Sequence, residues 1–344
     1  MQKKSGETRR EVLPMLVTNG TLLSLDTVDK LRKAGVLFGV SIDGIKRAHD
    51  LNRIDYRGLG THKTILKNIK KIKDRTLLGA AVTLTDSNKD LVQTMKHLIK
   101  YFPAISIKPV RSTNGKGGIC EDNIKEIKDE YSKLCLFLVK KTLEGDLSYI
   151  SALLNGDDYL GKFILRVILN QKVQTRCDAG LGRYSLAADG KIYTCPAAID
   201  INELEIGNLK TGIDTQKQKT IWKVLSERNK CDQCIAKHVC GGECMITSYY
   251  AHGKIDELDL IMCDLKRHLF SSAIKFKFAI ALQNEEIYET LMNGCIEKVN
   301  RFKEDEELKR VLLQSKAKYT FTELKTIKDN NLTQYNLIKE SYLV

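Results

Sequence analysis

Seven of the ten cysteines fall between Cys177 and Cys263. Cys231, Cys234, Cys240 and Cys244 stand at spacings x2, x5 and x3, and Gly241-Gly242 lets the backbone turn tightly between the last two. Upstream, Cys177 is followed after twelve residues by Gly190 and after four more by Cys195; downstream, Cys263 follows an 18-residue gap. Four thiolates within so short a stretch are a strong metal signal. One tetrahedral zinc takes four ligands and leaves three cysteines unused. Two 4Fe-4S clusters take up to eight thiolates, so seven give one complete site and one with an open iron. Both groups suit soft thiolate ligands, and zinc, clusters and simple packed thiols all stay open at this point. Cys120, Cys135 and Cys295 are isolated in the chain and are expected to be packed thiols.

The elements that must position these residues are legible from periodicity. From Val12 to Val110 short apolar runs alternate with helical patterns: VLPMLVT, a helix near Leu25 to Ala34, VLFGVSID, a helix near Thr61 to Asp74, LLGAAVTLT, a helix from Asn88 to Tyr101 capped by Ser87/Asn88, and AISIKPV. Strands alternating with helices predict a parallel sheet of βα units, buried on both faces. The loop Ser112 to Gly118 breaks the series, and Glu121 to Glu144 and Tyr159 to Gln171 follow as amphipathic helices. The expected units are 1–112, a helical connector 113–173, a small ligand-organised domain 174–268 and a helical extension 269–344. The Phe276/Phe278 pattern in that extension is expected to be core or interface packing.

The whole chain sets bounds. With 344 residues, 42% hydrophobic and 29% charged, it is a globular sequence, neither disordered nor collagen-like. Its apolar run Phe270 to Leu282 contains Lys275 and Lys277, whereas a membrane span needs about 18 clean apolar residues, so no membrane partner is expected. The N-terminus lacks the apolar core of a signal peptide, and cysteines clustered outside a secreted scaffold favour a reducing, cytoplasmic setting. The net charge of +13 is spread along solvated helix faces such as Lys63 to Lys73, which argues against nucleic acid. GKGG at Gly115 to Gly118 lacks the order of a phosphate loop and reads as a flexible connection.

The pattern C-x12-G-x4-C, then C-x2-C-x5-C-x3-C and a later cysteine, resembles the SPASM domain of radical S-adenosylmethionine enzymes, which mature peptides and sulfatases. TNGT at Thr18 to Thr21, SIDG at Ser41 to Gly44, His49-Asp50 and Arg53 are similar to the third and fourth strand ends of the same family's barrel. The resemblance covers about residues 10 to 265. It implies an α/β fold, the C-terminal part of a partial (β/α)6 radical SAM barrel followed by a cysteine-rich SPASM iron-sulfur domain and a helical tail. It also implies two auxiliary 4Fe-4S clusters, the inner held by Cys177, Cys195 and Cys244 and the outer by Cys231, Cys234, Cys240 and Cys263. Ser41 and Arg53 match residues that contact S-adenosylmethionine. A guanidinium offers a planar fork that lysine does not. His49 is expected near the active-site rim, and His238 and His252 as structural or exposed residues.

The sequence departs from the family at three places. A fourth inner cysteine, six positions after the first in some members, is Arg183 here, leaving an open iron suited to a substrate thiolate. The residue after the second cysteine, an aspartate resembling a general base in sulfatase maturases, is Pro196, which takes no proton; this shifts the expectation toward thioether or related crosslinking of a cysteine-bearing peptide. The C-x3-C-x2-C triplet of the radical-generating cluster is not in this sequence; Cys240 and Cys244 are followed by Thr247 at the third place. The expectation is therefore a truncated maturase, inactive alone, that has lost its first two βα units. VLPMLVT would then be an apolar edge blunted only by Pro14, leaving the chain poorly soluble or complemented by a polypeptide that supplies those units. A small ribosomally made precursor peptide and an electron donor are the other expected partners. The rival reading is a non-catalytic iron-sulfur or zinc module that presents a peptide or passes electrons. No catalytic residue is assigned.

Overall fold

The computed structural model describes residues 15–34, 36–72, 78–112, 117–297 and 321–343. Its first sheet is parallel, with strands β1 (Met15–Thr18), β2 (Leu37–Ser41), β3 (Leu78–Leu84) and β4 (Ala104–Pro109) side by side in chain order. The register runs Met15 opposite Leu37, Phe38 opposite Leu78 and Gly79 opposite Ala104. Consecutive parallel neighbours are what successive right-handed βα crossovers produce. The helices between them are α1 (Leu25–Lys33), α2 (Lys46–Asn52), α3 (His62–Lys71) and α4 (Leu91–Leu98). The side chain of Ser24 caps α1 by accepting from Thr27 N at 3.1 Å. Helix α4 starts later than expected, because Asp90 accepts from Gln93 N at 2.8 Å, while Asn88 turns back to accept from Thr85 N at 2.7 Å. Pro14 and residues 113–116, on which the blunted edge and the GKGG reading rest, lie outside the described residues.

Helices α5 (Ile124–Leu143), α6 (Ser148–Leu153) and α7 (Tyr159–Ile168) cover the end of the sheet. Periodicity missed α6. Asp158 caps α7 and joins it to the sheet, one carboxylate oxygen accepting from Gly161 N at 2.6 Å and the other from Ile107 N at 2.7 Å. Gly161 is needed there, since a Cβ would lie 2.2 Å from the carbonyl oxygen of Leu153.

The region after Cys177 holds strands that sequence reading did not separate. Antiparallel strands β5 (Ser185–Leu186), β6 (Lys191–Tyr193), β7 (Glu205–Asn208) and β8 (Gly212–Ile213) form a second small sheet. It is followed by α8 (Thr215–Ser226), α9 (Lys237–Cys240) and α10 (Met245–His252). The long helix α11 (Leu260–Gln283) comes next. The boundary expected at 268 falls inside α11, which runs on unbroken. Its residues Met262, Leu265, Leu269, Ala273 and Phe276 share one core with the parallel sheet and α5 and α7. Phe276 is buried in that core, and Phe278 is exposed. Helix α12 spans 285–297, and α13 (Phe321–Asn330) and α14 (Leu332–Leu343) pack on each other. Among the described residues no helix is long and apolar enough to cross a membrane.

Under the carboxyl ends of the parallel strands lies a histidine cluster. His49 is fully buried rather than on the rim: its Nδ1 accepts from Asp43 N at 3.1 Å and its Nε2 donates to Thr61 Oγ1 at 3.0 Å. His62 and His97 meet at 3.1 Å between their Nε2 atoms. Burial pushes His49 and His97 down to about 4 and lowers His62 as well, with cationic neighbours adding to the effect and Asp43 and Asp50 opposing it. A neutral imidazole in the folded state and a protonated one in the unfolded state makes stability full above the ordinary histidine value and lost as pH falls from there toward 4. Unfolding free energies from urea titrations between about pH 7.5 and about pH 5 are expected to fall as pH falls, with a slope approaching about 1.4 kcal/mol per pH unit from buried His49 and a smaller part from half-buried His97. His97→Gln removes the smaller part of that slope.

Candidate metal centre

The turn at Gly241-Gly242 organises the cysteines. Gly241 has φ +74° and Gly242 φ +95°, and a Cβ on Gly241 would lie 2.4 Å from the Thr175 carbonyl carbon. That close approach brings the segment before Cys177 against the segment between Cys240 and Cys244. Cys195 follows β6 and begins the 3-10 turn Pro196–Ala198, in which Pro196 itself is exposed. Cys244 stands at the N-terminus of α10, and Cys263 in the first turn of α11.

Two spaces result. Cys177, Cys195 and Cys244 line a cavity of about 480 Å³, whose other walls include Arg176, Trp222, Arg228 and Glu243. Cys231, Cys234, Cys240 and Cys263 line a second space of about 30 Å³, together with Gly242, Glu243 and Lys266. The first is large enough for a group of many atoms; the second matches about one water. Among the described residues no three metal-ligating side chains converge on one point as ligands of a single ion would. The remaining cysteines, Cys120, Cys135 and Cys295, are buried singly. Arg183, six positions after Cys177, is exposed in the turn before β5, and His238 and His252 are exposed.

Electrostatics favour an added positive centre at the thiols and added negative charge beside them. Burial, then Glu243, pushes the Cys263 thiol up to about 12, and Cys195 and Cys231 are raised by burial and by neighbouring cysteines. A bound cation reverses this, since metal ligation requires thiolates. Around them Arg176, Arg228 and Lys266 face the single carboxylate of Glu243. That carboxylate is fully buried, accepts from Cys244 N at 2.7 Å through Oε1 and pairs with Lys266 through Oε2. Trp222 and Arg228 each bury a donor, Nε1 and Nε, that meets no acceptor in the protein. A group with sulfur or other anionic acceptors fits these walls. Sequence reading missed Glu243, Lys266, Arg228 and Trp222; only the isolated acidic residue within CGGEC signalled any of them.

A second candidate surface lies at the carboxyl ends of the parallel strands. Ser41 ends β2, partly buried beside Ala81 of β3. Arg53 lies at the end of α2 and holds Asp43 through Nε at 2.5 Å and Nη2 at 3.2 Å, and Nη2 also reaches Thr83 at 3.4 Å. None of these contacts uses Nη1. Asp43 is almost completely buried, so Arg53 is anchored from below while its side chain stays 28% exposed. At β1, Thr18 and Asn19 fold the TNGT turn, and Asn68 donates to the carbonyl of Gly20 at 3.1 Å.

No protein-family profile matches the chain. Among curated proteins it is 22% identical over 258 residues to the cysteine-type anaerobic sulfatase-maturating enzyme of Clostridium novyi, covering 70% of this chain and 66% of that one. The enzyme of the same name from Clostridium perfringens is 23% identical, with 71% and 67% covered. Its relatives are anaerobic sulfatase-maturating enzymes. The chain spans about two thirds of the length of these maturases. The fold agrees with solved maturase structures. Native anSMEcpe with bound AdoMet and Kp18Cys peptide superposes with a TM-score of 0.65 at 19% identity, covering 83% of this chain and 79% of that one. A histidine-tagged form of anSMEcpe with bound AdoMet gives 0.66 at 18% identity, covering 86% and 78%. The α/β resemblance read from TNGT, SIDG and the cysteine spacing therefore has independent support at the level of relatives and fold.

Proposed function

We propose that this chain is part of a radical S-adenosylmethionine maturase that modifies a small, ribosomally made, cysteine-containing peptide in a reducing cytoplasm. The observation that carries the proposal is the sorting of seven cysteines, interleaved in sequence, around two adjacent spaces that share Glu243. Cys177, Cys195 and Cys244 hold the inner 4Fe-4S cluster, and Cys231, Cys234, Cys240 and Cys263 the outer one. When bound, such clusters supply one-electron chemistry and, where an iron lacks a protein ligand, a Lewis-acidic site for sulfur. Arg183 points the inner site toward that second use, because the place of a fourth thiolate is a guanidinium in a solvent-facing turn.

The chain's own residues then have separate tasks. Asp43 fixes Arg53, whose unused Nη1 is free to hold the carboxylate or ribose of S-adenosylmethionine; Ser41 contacts the same cofactor from the end of β2. Lys266 and Glu243 orient the ligands Cys263 and Cys244. With Pro196 after the second inner cysteine, no proton acceptor stands where the resemblance places one in a sulfatase maturase. Pro196 shifts the reading of the peptide's side-chain chemistry toward thioether or related crosslinking. Among the described residues β1 is the outermost strand of the parallel sheet, and its Val17 is 68% exposed. The units of function are a barrel part to residue 112, a connector and a cluster domain from 174, with no break at 268, since α11 continues through it.

A second reading rests on one observation, the outer space of about 30 Å³, which suits a single zinc with four cysteine ligands. Iron, sulfide and zinc per chain after anaerobic reconstitution decide. About eight irons support two clusters; about four irons and one zinc assign zinc to the outer site; zinc alone makes the chain a non-catalytic binding module.

A further inference from the structure

Lys162 is a partly buried cation set among other cations. It stands in the first turn of α7, with Tyr159 three positions before it and Arg166 four after, so all three share one face of the helix. That face meets the cysteine-rich region. Arg166 Nη1 donates to the Val239 carbonyl at 2.6 Å, and the Arg176 guanidinium stacks 4.8 Å over the Tyr159 ring while Nη2 donates to its hydroxyl. Arg176 in turn lines the cavity on which Cys177, Cys195 and Cys244 open. Lys108, at the carboxyl end of β4, is a further cation acting on Lys162. Asp157 opposes these charges, but its carboxylate is already paired with Lys108 at 2.5 Å. Among the described residues no carboxylate or other acceptor bonds the Lys162 ammonium. Burial, then Arg166 and Arg176, lowers its pKa. A cation in the first turn also opposes the helix dipole. The placement costs stability, as residues kept for binding often do.

We infer that Lys162, flanked by Arg166 and Arg176, recognises a carboxylate side chain of the precursor peptide, an aspartate or glutamate close to the reacting cysteine. That the occupant is this peptide rests on the maturase reading. Lys162 lines neither of the cysteine-lined spaces, so its counter-charge is not the group held in them. A peptide whose cysteine enters the cavity beside Arg176 carries its neighbouring residues past α7, where a carboxylate supplies the missing charge and two acceptor oxygens.

The test measures binding of two peptides by fluorescence anisotropy, Asp-Asp-Cys-Asp-Asp and Asn-Asn-Cys-Asn-Asn, each carrying the same neutral dye, to the full chain reconstituted anaerobically. The acidic peptide is expected to bind about tenfold tighter than the neutral one, the effect of one charge-assisted hydrogen bond, and Lys162→Met to remove that preference. Lys63→Met, which takes the same charge from an exposed helix face, is expected to keep it. A preference that is absent, or that Lys162→Met and Lys63→Met reduce equally, overturns the inference. So does displacement of the acidic peptide by S-adenosylmethionine in the parent but not in Lys162→Met, which would give Lys162 to the cofactor's carboxylate. Lys162→Met is also expected to unfold at a urea concentration equal to or above the parent's; a lower midpoint would show a structural partner and overturn the assignment. Iron is assayed on the same samples. No bound iron with the preference intact sinks the maturase reading and keeps the carboxylate site; full iron without the preference does the reverse.

Discussion

Replacing Cys177, Cys195 and Cys244 together by alanine is expected to remove about four of about eight irons from the reconstituted chain and leave the outer centre's absorbance in place. Replacing Cys231, Cys234 and Cys240 is expected to remove the other four. The reason is geometric: each set lines its own space, and no cysteine is shared between them. Sequence order alone suggests a different outcome. Cys240 and Cys244 are near neighbours in the chain, yet Gly241-Gly242 turns them into different spaces, so single variants at 240 and 244 are expected to deplete different centres. Iron and sulfide assays on the two triple variants check this. Loss of all iron from either one would mean that the sites form a single cooperative unit.

The second large effect concerns the buried ion pair. Glu243 and Lys266 side chains are 0% and 3% exposed, so neither charge is solvated by water. Glu243→Gln leaves the ammonium of Lys266 buried with Arg176 and Arg228 nearby and no carboxylate to balance them. Breaking such a pair costs about 3–5 kcal/mol, whereas replacing both partners by neutral groups is often close to neutral. The apo chain carrying Glu243→Gln is therefore expected to unfold at markedly lower denaturant, and the double variant Glu243→Gln/Lys266→Met to recover most of the loss. If Lys266→Met alone is as stable as the parent, the pair is not what holds the segment 242–244 to α11. A metal-loaded sample is expected to show a smaller deficit for Glu243→Gln, because anionic clusters supply part of the missing negative charge.

Much of the frame was legible because period-2 and period-3.6 patterns report burial directly. Strands β2, β3 and β4 are apolar runs between amphipathic helices, and each was bounded to within a few residues. The start of α4 was misplaced because Asn88 and Asp90 are both good caps in sequence, and only tertiary contact decides which one turns inward. The four short strands after Cys177 were illegible: with two to four residues each, they carry no periodicity, and what fixes them is the turn at Gly190 and the packing of Tyr193, Leu204 and Ile206. Cysteine spacing marked a soft-ligand region, but the division into two spaces came from the family resemblance, since spacing within CxxC-type runs favours contiguous ligands. Glu243, Lys266, Arg228 and Trp222 had no signal of their own, because a buried charge looks like any surface charge until its neighbours are known. His49 was drawn toward the rim by its neighbours in sequence, whereas its two ring nitrogens are occupied by Asp43 and Thr61.

The interleaving of the two cysteine sets carries a consequence for biosynthesis. Cys177 and Cys244 are 67 positions apart (244 − 177), and the outer set is not complete until Cys263. Closing loops of this size carries an entropic cost that grows slowly with length. A ribosome emitting this chain releases the parallel sheet and its helices long before either set of thiols is assembled. Both the last thiol and the α11 residues that complete the core of the parallel sheet emerge together late in the chain, so cofactor insertion is expected to follow synthesis of α11. A nascent chain arrested before residue 263 would expose cysteines without a finished site, open to scavenging by whichever soft metal is most available.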